Sequence, residues 1–282
     1  MRHLALLHNA VNEPHFHWTS ATASERAARP GVLVAECEAG ISGYATWSYQ
    51  DFDRADRAWI GWAIHPDHLQ DDTASALLEA VIDDAGPACA SLWLTVREDY
   101  LSASPDPRDH GFAEVHRTFG GGCFLDERNV VVRAAPTDIT MHALDDVDGA
   151  AVASFYEQVR ADKVLAEPTI TAASTSLDMA SALTAGSCVA VQDDIVVGLC
   201  LSYPSDLGAW LGVLAVSPAH RRNGIALALL TRAMAGLHHA GVTFLNTAGV
   251  GSDLAFLRTV RAAGATIEPD WIAYERRIST PR

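Results

Sequence analysis

The residues best suited to chemistry lie together in one turn. Val216-Ser217-Pro218-Ala219-His220-Arg221-Arg222-Asn223-Gly224-Ile225-Ala226 sets two arginines and a glycine immediately before a run of helix-forming Ala and Leu. The first N–H groups of a helix have no partner inside it, and the helix dipole adds positive potential, so such a turn receives an anion. At Gly224 the backbone can approach a phosphate oxygen where a side chain would collide. Arg221 and Arg222 place positive charge beside it. A pyrophosphate suits this turn, held by the stretch Arg221, Arg222, Asn223, Gly224, Ile225 and Ala226.

A related turn lies 152 residues earlier and has the opposite character. It reads Leu69-Gln70-Asp71-Asp72-Thr73-Ala74, so Leu69 stands in place of Arg221 and Asp72 in place of Gly224. A carboxylate about 4 Å from a phosphate is repelled by on the order of 4 kcal/mol near a protein surface, and two carboxylates repel it more strongly. The first turn is therefore expected to reject the anion that the second accepts.

These turns sit within a longer internal repeat. Trp59 to His68 aligns without gaps on Leu211 to His220, the Ala and Leu residues at 74, 76, 77 and 78 fall opposite those at 226, 228, 229 and 230, and Gly111-Phe112 falls opposite Gly264-Ala265. Each copy reads as an apolar strand, a Pro-containing turn and an amphipathic helix. In the second copy the strand spans Trp210 to Val216 and the helix about Gly224 to Leu237. Upstream, hairpins are expected at Val32 to Glu36 with Ile41 to Trp47, and at Cys188 to Val191 with Ile195 to Ser202. Downstream come a strand at Val242 to Asn246, a helix at about Asp253 to Ala263 and a final strand at Trp271 to Arg277. Asn129 to Asp138 is the expected boundary, giving domains 1–134 and 135–282, with a new strand at Ile139 to Ala143 and a helix beginning near Asp145 to Asp148. Gly120-Gly121-Gly122 reads as a flexible bend between strands.

Composition narrows the partners. A chain of 282 residues has room for two cores, and 35 acidic against 20 basic residues give a formal charge of −15. Nucleic acid and anionic membrane surfaces are disfavoured, whereas cationic or neutral small molecules are not. The longest early apolar run, Leu4 to Leu7, is too short for a signal core, and nothing approaches the roughly 18 residues of a membrane span, so a cytoplasmic protein is expected. Cys37, Cys89, Cys123, Cys188 and Cys200 show no metal-ligand spacing and read as reduced core thiols, with Cys200 able to line a pocket. His15-Phe16-His17, with His3 and His8, lacks the spacing of a metal site and reads as a solvated segment; no metal is expected.

The segment Arg221 to Ala226 resembles the acyl-CoA-binding motif of the GCN5-related N-acetyltransferases (GNAT), (Gln/Arg)-x-x-Gly-x-(Gly/Ala), over a resemblance extending from about residue 137 to 278. It implies an α/β (α+β) chain of two GNAT-like domains, each a mixed, mostly antiparallel sheet flanked by helices, as in bacterial double-GNAT proteins such as mycothiol synthase. Acetyl-CoA is then the implied cosubstrate of the second domain. The backbone of Leu214, Ala215 and Val216 would hold its pantetheine arm in a gap between two splayed strands. Asn246 reads equally as a further polar contact or as a turn residue capping its strand.

The resemblance also implies transfer of an acetyl group to a small-molecule amine by a monomer or homodimer. Many family members carry a Glu on the cofactor strand and a Tyr on the last helix. This chain has no acidic residue between Trp210 and Val216, and it has Phe256 and Leu257 on that helix. Asp206 is the remaining candidate base, or a solvated loop residue. Tyr203 and Tyr274 are candidate proton donors, or core aromatics with the hydroxyl at the rim. Tyr156 and Glu157 are placed to line the acceptor side, although solvation of a helix face explains Glu157 equally well. An acetyl-CoA-binding sensor without turnover is the alternative function, since it needs the turn and no catalytic pair.

Overall fold

A computed structural model describes residues 2–10, 19–27, 31–38, 40–50, 54–69, 72–166 and 177–278. His15, Phe16, His17, Gln70 and Asp71 lie outside the described residues. The chain forms two compact units, Met1–Thr118 with Pro269–Arg282, and Phe119–Glu268.

Unit 1 contains α1 (Arg2–Ala10), α2 (Ser20–Ala27), β1 (Val32–Cys37), β2 (Gly40–Tyr49), β3 (Arg57–Ile64), α3 (Thr73–Ala85), β4 (Ser91–Arg97) and the first half of β5 (Ala113–Phe124). Unit 2 contains the second half of β5, then β6 (Thr140–Ala143), α4 (Gly149–Ala166), β7 (Cys188–Gln192), β8 (Ile195–Ser205), β9 (Gly208–Val216), α5 (Ile225–His239), β10 (Phe244–Val250), α6 (Leu254–Ala262) and β11 (Thr266–Ile267). The last strand, β12 (Trp271–Arg277), returns to unit 1.

Strand order in unit 1 is β1-β2-β3-β4-β12-β5, and in unit 2 it is β6-β7-β8-β9-β10-β5 with β11 on β5. All the registered pairs are antiparallel except β3 with β4 and β9 with β10. Both sheets are thus mixed and mostly antiparallel.

The two repeats exchange a strand. Beyond the parallel neighbour, unit 1 inserts β12 from the end of the second repeat, and unit 2 inserts the second half of β5 from the end of the first. Its apolar centre explains why β12 is at home there: Ile272, Ala273 and Tyr274 are all buried, and Ile272 and Tyr274, each 1% exposed, point to one face and join the core formed by Ile60, Leu78 and Leu94. A single cut at 134/135 does not follow these units. Residues 129–138 belong to unit 2, where the Arg133 N–H donates to Thr231 Oγ1 at 3.0 Å and Val130 packs on the core.

The glycine triplet is no bend. Gly120, Gly121 and Gly122 fall inside β5, and its neighbours crowd it: a Cβ on Gly121 would stand 2.3 Å from the Thr266 carbonyl oxygen, and one on Gly122 would stand 2.4 Å from the Phe244 ring. Glycine here permits close approach of strands rather than a turn.

The turn at the hairpin of β7 and β8 is tight because Asp193 and Asp194 both take positive φ, 49° and 64°, a conformation that Asp tolerates better than most residues. Helix α5 packs Leu229, Leu230, Ala233, Met234 and Leu237 on one face of the second sheet. Each of these leucines contributes about 1.5–3 kcal/mol by burial. Gly241, at φ 82°, ends the helix after Ala240. On the opposite face α4 brings Val152, Phe155 and Val159 against Val189, Leu199 and Leu201.

Candidate acyl-CoA site

The loop from β9 to α5 begins with a 3-10 turn, Pro218–His220. Side chains pin it from behind. Gln192 Nε2 donates to Asp138 Oδ2 at 2.6 Å, leaving its Oε1 to accept from His220 Nε2–H at 2.6 Å. His220 Nδ1 is then the acceptor, and the Ser217 hydroxyl donates to it at 2.6 Å. Neither the Asp138–Gln192 pair nor the role of His220 was read from the sequence. The local Ser-Pro-x-His spacing could have suggested the Ser217–His220 contact, but nothing local points to partners 28 and 54 residues apart.

After His220 the chain adopts a conformation with few alternatives. Arg221 is extended (φ −64°, ψ 157°) and its Nε donates back to the Val216 carbonyl at 3.1 Å. Arg222 takes φ 67° and Gly224 φ 84°, with Asn223 between them outside the positive-φ region. Alternation of this kind turns successive N–H groups toward one side, the geometry of an anion nest, and α5 begins at the next residue. Nothing lies within 4 Å of where a Cβ on Gly224 would stand, so the space before the helix is open. Residues 221–224 are exposed, Ile225 is 2% exposed and Ala226 is partly buried against the core. A cavity of about 310 Å³ adjoins the turn, lined by Pro136, Asp138, Ile139, His220, Asn223 and Ile225.

The strand leading into the turn is free on one edge. β9 and β10 pair only at Ala209 with Leu245 and Trp210 with Asn246. Past that point Leu211 to Val216 have no partner on β10, so the strands part toward the phosphate turn. Asn246 sits at the vertex: its Nδ2 donates to Ser205 Oγ at 3.1 Å and to the Ala209 carbonyl at 3.2 Å. It therefore tethers the β8–β9 hairpin from within β10. Leu214 and Ala215 are half-buried and Val216 is 8% exposed. On its other edge β9 carries a bulge, because Val213 pairs with Leu201 and Leu211 with Ser202, leaving Gly212 unpaired.

The catalytic candidates are separated. Tyr203, on β8, faces Trp210 and is partly buried; burial, then the Asp178 carboxylate and Tyr156, push its phenol above the ordinary value of 10. Asp206 is exposed at the tip of the β8–β9 hairpin. Tyr274 lies elsewhere, on β12 inside the core of unit 1. Tyr156, on α4, packs with Tyr203 in one cluster, whereas Glu157 is exposed and 3.8 Å from Arg160. Cys200, 0% exposed, packs in the core; Cys37 is exposed rather than a core thiol. His8 is buried, hydrogen-bonded to the Tyr44 hydroxyl.

A free strand edge thus leads to a left-handed helix start within a mixed sheet flanked by helices. Residues 152–256 match the Acetyltransferase (GNAT) family model, so unit 2 carries a domain of that family. A GCN5-related N-acetyltransferase from Sphaerobacter thermophilus is similar in structure, with TM-score 0.65 and 18% identity over 100% of this chain and 92% of that one. So is a tandem GNAT protein from the clavulanic acid biosynthesis pathway, with TM-score 0.55 and 15% identity over 99% and 94%. A GCN5-related N-acetyltransferase from Kribbella flavida follows with TM-score 0.50 and 15% identity over 92% and 94%. At such identities the likeness establishes the fold, two GNAT-like units in one chain. No curated protein matches the chain in sequence. Among the described residues no helix is long and apolar enough to cross a membrane.

Proposed function

We propose that the protein transfers an acetyl group from acetyl-CoA to a small amine, with the reaction carried out in unit 2 and unit 1 devoid of cofactor binding. The observation that carries this reading is the pair of positive-φ residues, Arg222 and Gly224, at the start of α5 and at the open end of the β9–β10 split. Acetyl-CoA supplies the activated acetyl group. N–H groups of 221–226 hold its pyrophosphate, and the free edge at Leu214, Ala215 and Val216 holds the pantetheine amides and polarises the thioester carbonyl. Asn246 keeps the vertex closed rather than touching the ligand. Tyr203, protonated at neutral pH, donates a proton to the departing thiolate, and Asp206 takes one from the amine through water.

Calorimetry with acetyl-CoA and an assay of thiol release with a panel of amines test this reading. One equivalent bound per chain, with amine-dependent release, is expected. Tyr203→Phe should lower kcat about 10- to 100-fold at unchanged acetyl-CoA affinity. An undiminished kcat removes Tyr203 from the mechanism. Binding without release for any amine selects the second reading, an acetyl-CoA sensor, which the lack of a carboxylate between Trp210 and Val216 favours.

A further inference from the structure

We infer that unit 2 selects an amine carried on a flat aromatic group, which rests on a floor made by Trp210 and Tyr203 beside the bulge of β9. The inference rests on the acetyl-transfer reading above. Strand register puts Tyr203 directly opposite Trp210. Between them the backbone is bare: a Cβ on Gly212 would stand 2.3 Å from Tyr203 Cε2 and 3.7 Å from Trp210 Cδ1. The Tyr203 ring therefore lies over the backbone of β9 at Gly212, and the indole borders the same spot. Any residue but glycine at 212 would lift the phenol ring off the strand.

This floor is on the face away from the phosphate helix. Tyr203, Val213 and Ala215 pack in the cluster under α4, while Leu211, Leu214 and Val216 pack in the cluster that includes α5. Core packing does not account for Trp210, which is 39% exposed although its neighbours Ala209 and Leu211 are 0% and 3% exposed. A single exposed apolar residue needs no explanation, but here the exposed indole and the Tyr203 ring border the same bare glycine. Charge at the rim agrees with an amine. Hydrogen bonds from Ser181, its N–H at 3.1 Å among them, lower the pKa of the Asp178 carboxyl, whose charge adds to burial in raising the Tyr203 phenol. An incoming ammonium group thus meets negative charge while its aromatic carrier meets the floor.

The test uses the full chain and three amines, 2-phenylethylamine, its saturated analogue 2-cyclohexylethylamine, and glucosamine. The first two share charge, length and apolar bulk and differ in the flat π face. Acetyl-CoA affinity is measured first, and its absence overturns the acetyl-transfer reading together with this inference. With the cofactor bound, kcat/KM for the phenyl amine is expected to exceed that for the other two about tenfold or more. Trp210→Leu should abolish that preference at unchanged acetyl-CoA affinity, which also certifies its fold, and Trp210→Phe should restore most of it. Equal use of the cyclohexyl amine or glucosamine, a preference that survives Trp210→Leu, or cofactor binding with turnover of none of the three overturns the aromatic acceptor and leaves acetyl-CoA binding standing.

Discussion

The two 3-10 turns, Pro66–His68 and Pro218–His220, start alike and end differently. Each follows the corresponding parallel-paired strand and leads to a helix, α3 or α5, beginning at equivalent positions. They part at one residue. Leu69 stays helical at ψ −24°, whereas Arg221 is extended at ψ 157°. From there the second loop passes through positive φ at Arg222 and Gly224, while Asp72 caps α3 at φ −77° with no side-chain cap bond. The difference is more than a swapped charge: an L residue resists the left-handed conformation at 224 and has no need of it at 72. One repeat sets two left-handed residues before its helix, and the other enters its helix from a right-handed Asp72.

Gly224→Asp is the most severe way to erase that difference. The left-handed φ costs a non-glycine residue about 1–2 kcal/mol, and a carboxylate about 4 Å from phosphate adds on the order of 4 kcal/mol. Acetyl-CoA affinity should fall by more than about a thousandfold in calorimetry. Wild-type affinity in this variant would show that the nucleotide is held elsewhere, and a wild-type stoichiometry of two would show that the first turn binds as well.

Exchange of strands gives the comparison a second form, at the level of the units. Tyr274→Ala removes a large side chain that is 1% exposed from the core of unit 1, at a cost of about 3–5 kcal/mol. Thermal unfolding should shift down, with protection from hydrogen exchange lost in β4 and β12. Acetyl-CoA affinity is expected to stay within about twofold, because β12 contributes to the first sheet. Loss of affinity equal to the loss of stability would mean that the two repeats do not divide as proposed.

Much of this was legible in the residues. The offset of 152 between the repeats places Pro218, His220 and the first residue of α5 opposite Pro66, His68 and the first residue of α3, and the final strand runs from Trp271 to Arg277 as expected. A short apolar run says that a segment wants a sheet but not which sheet, so the exchange of β12 was invisible. The glycine triplet was misread for a related reason: glycine marks a bend and a close approach alike, and only the Thr266 carbonyl and the Phe244 ring distinguish them. Tyr203 was legible as a candidate, but the close approach of its ring to Gly212 accompanies a bulge there that no local pattern announces.

The smallest effect concerns the network behind the turn. Gln192 links His220 to Asp138, and it sits at the end of β7 rather than in the Arg221 to Gly224 turn. Gln192→Ala removes two hydrogen bonds without touching Arg221, Arg222 or Gly224. A net worth of about 0.5–1.5 kcal/mol per bond bounds the cost at roughly 1–3 kcal/mol of local order. Only part of that reaches the ligand, because Arg221 Nε still ties the turn to Val216. Acetyl-CoA affinity should therefore weaken about three- to tenfold, with kcat nearly unchanged. The first turn is braced differently: His65, the residue equivalent to Ser217, accepts from the Asp67 N–H, and His68 Nε2 lies 3.7 Å from Cys37 Sγ at the end of β1. An affinity loss as large as that of Gly224→Asp would mean that the side-chain brace, and not the left-handed backbone, distinguishes the two turns.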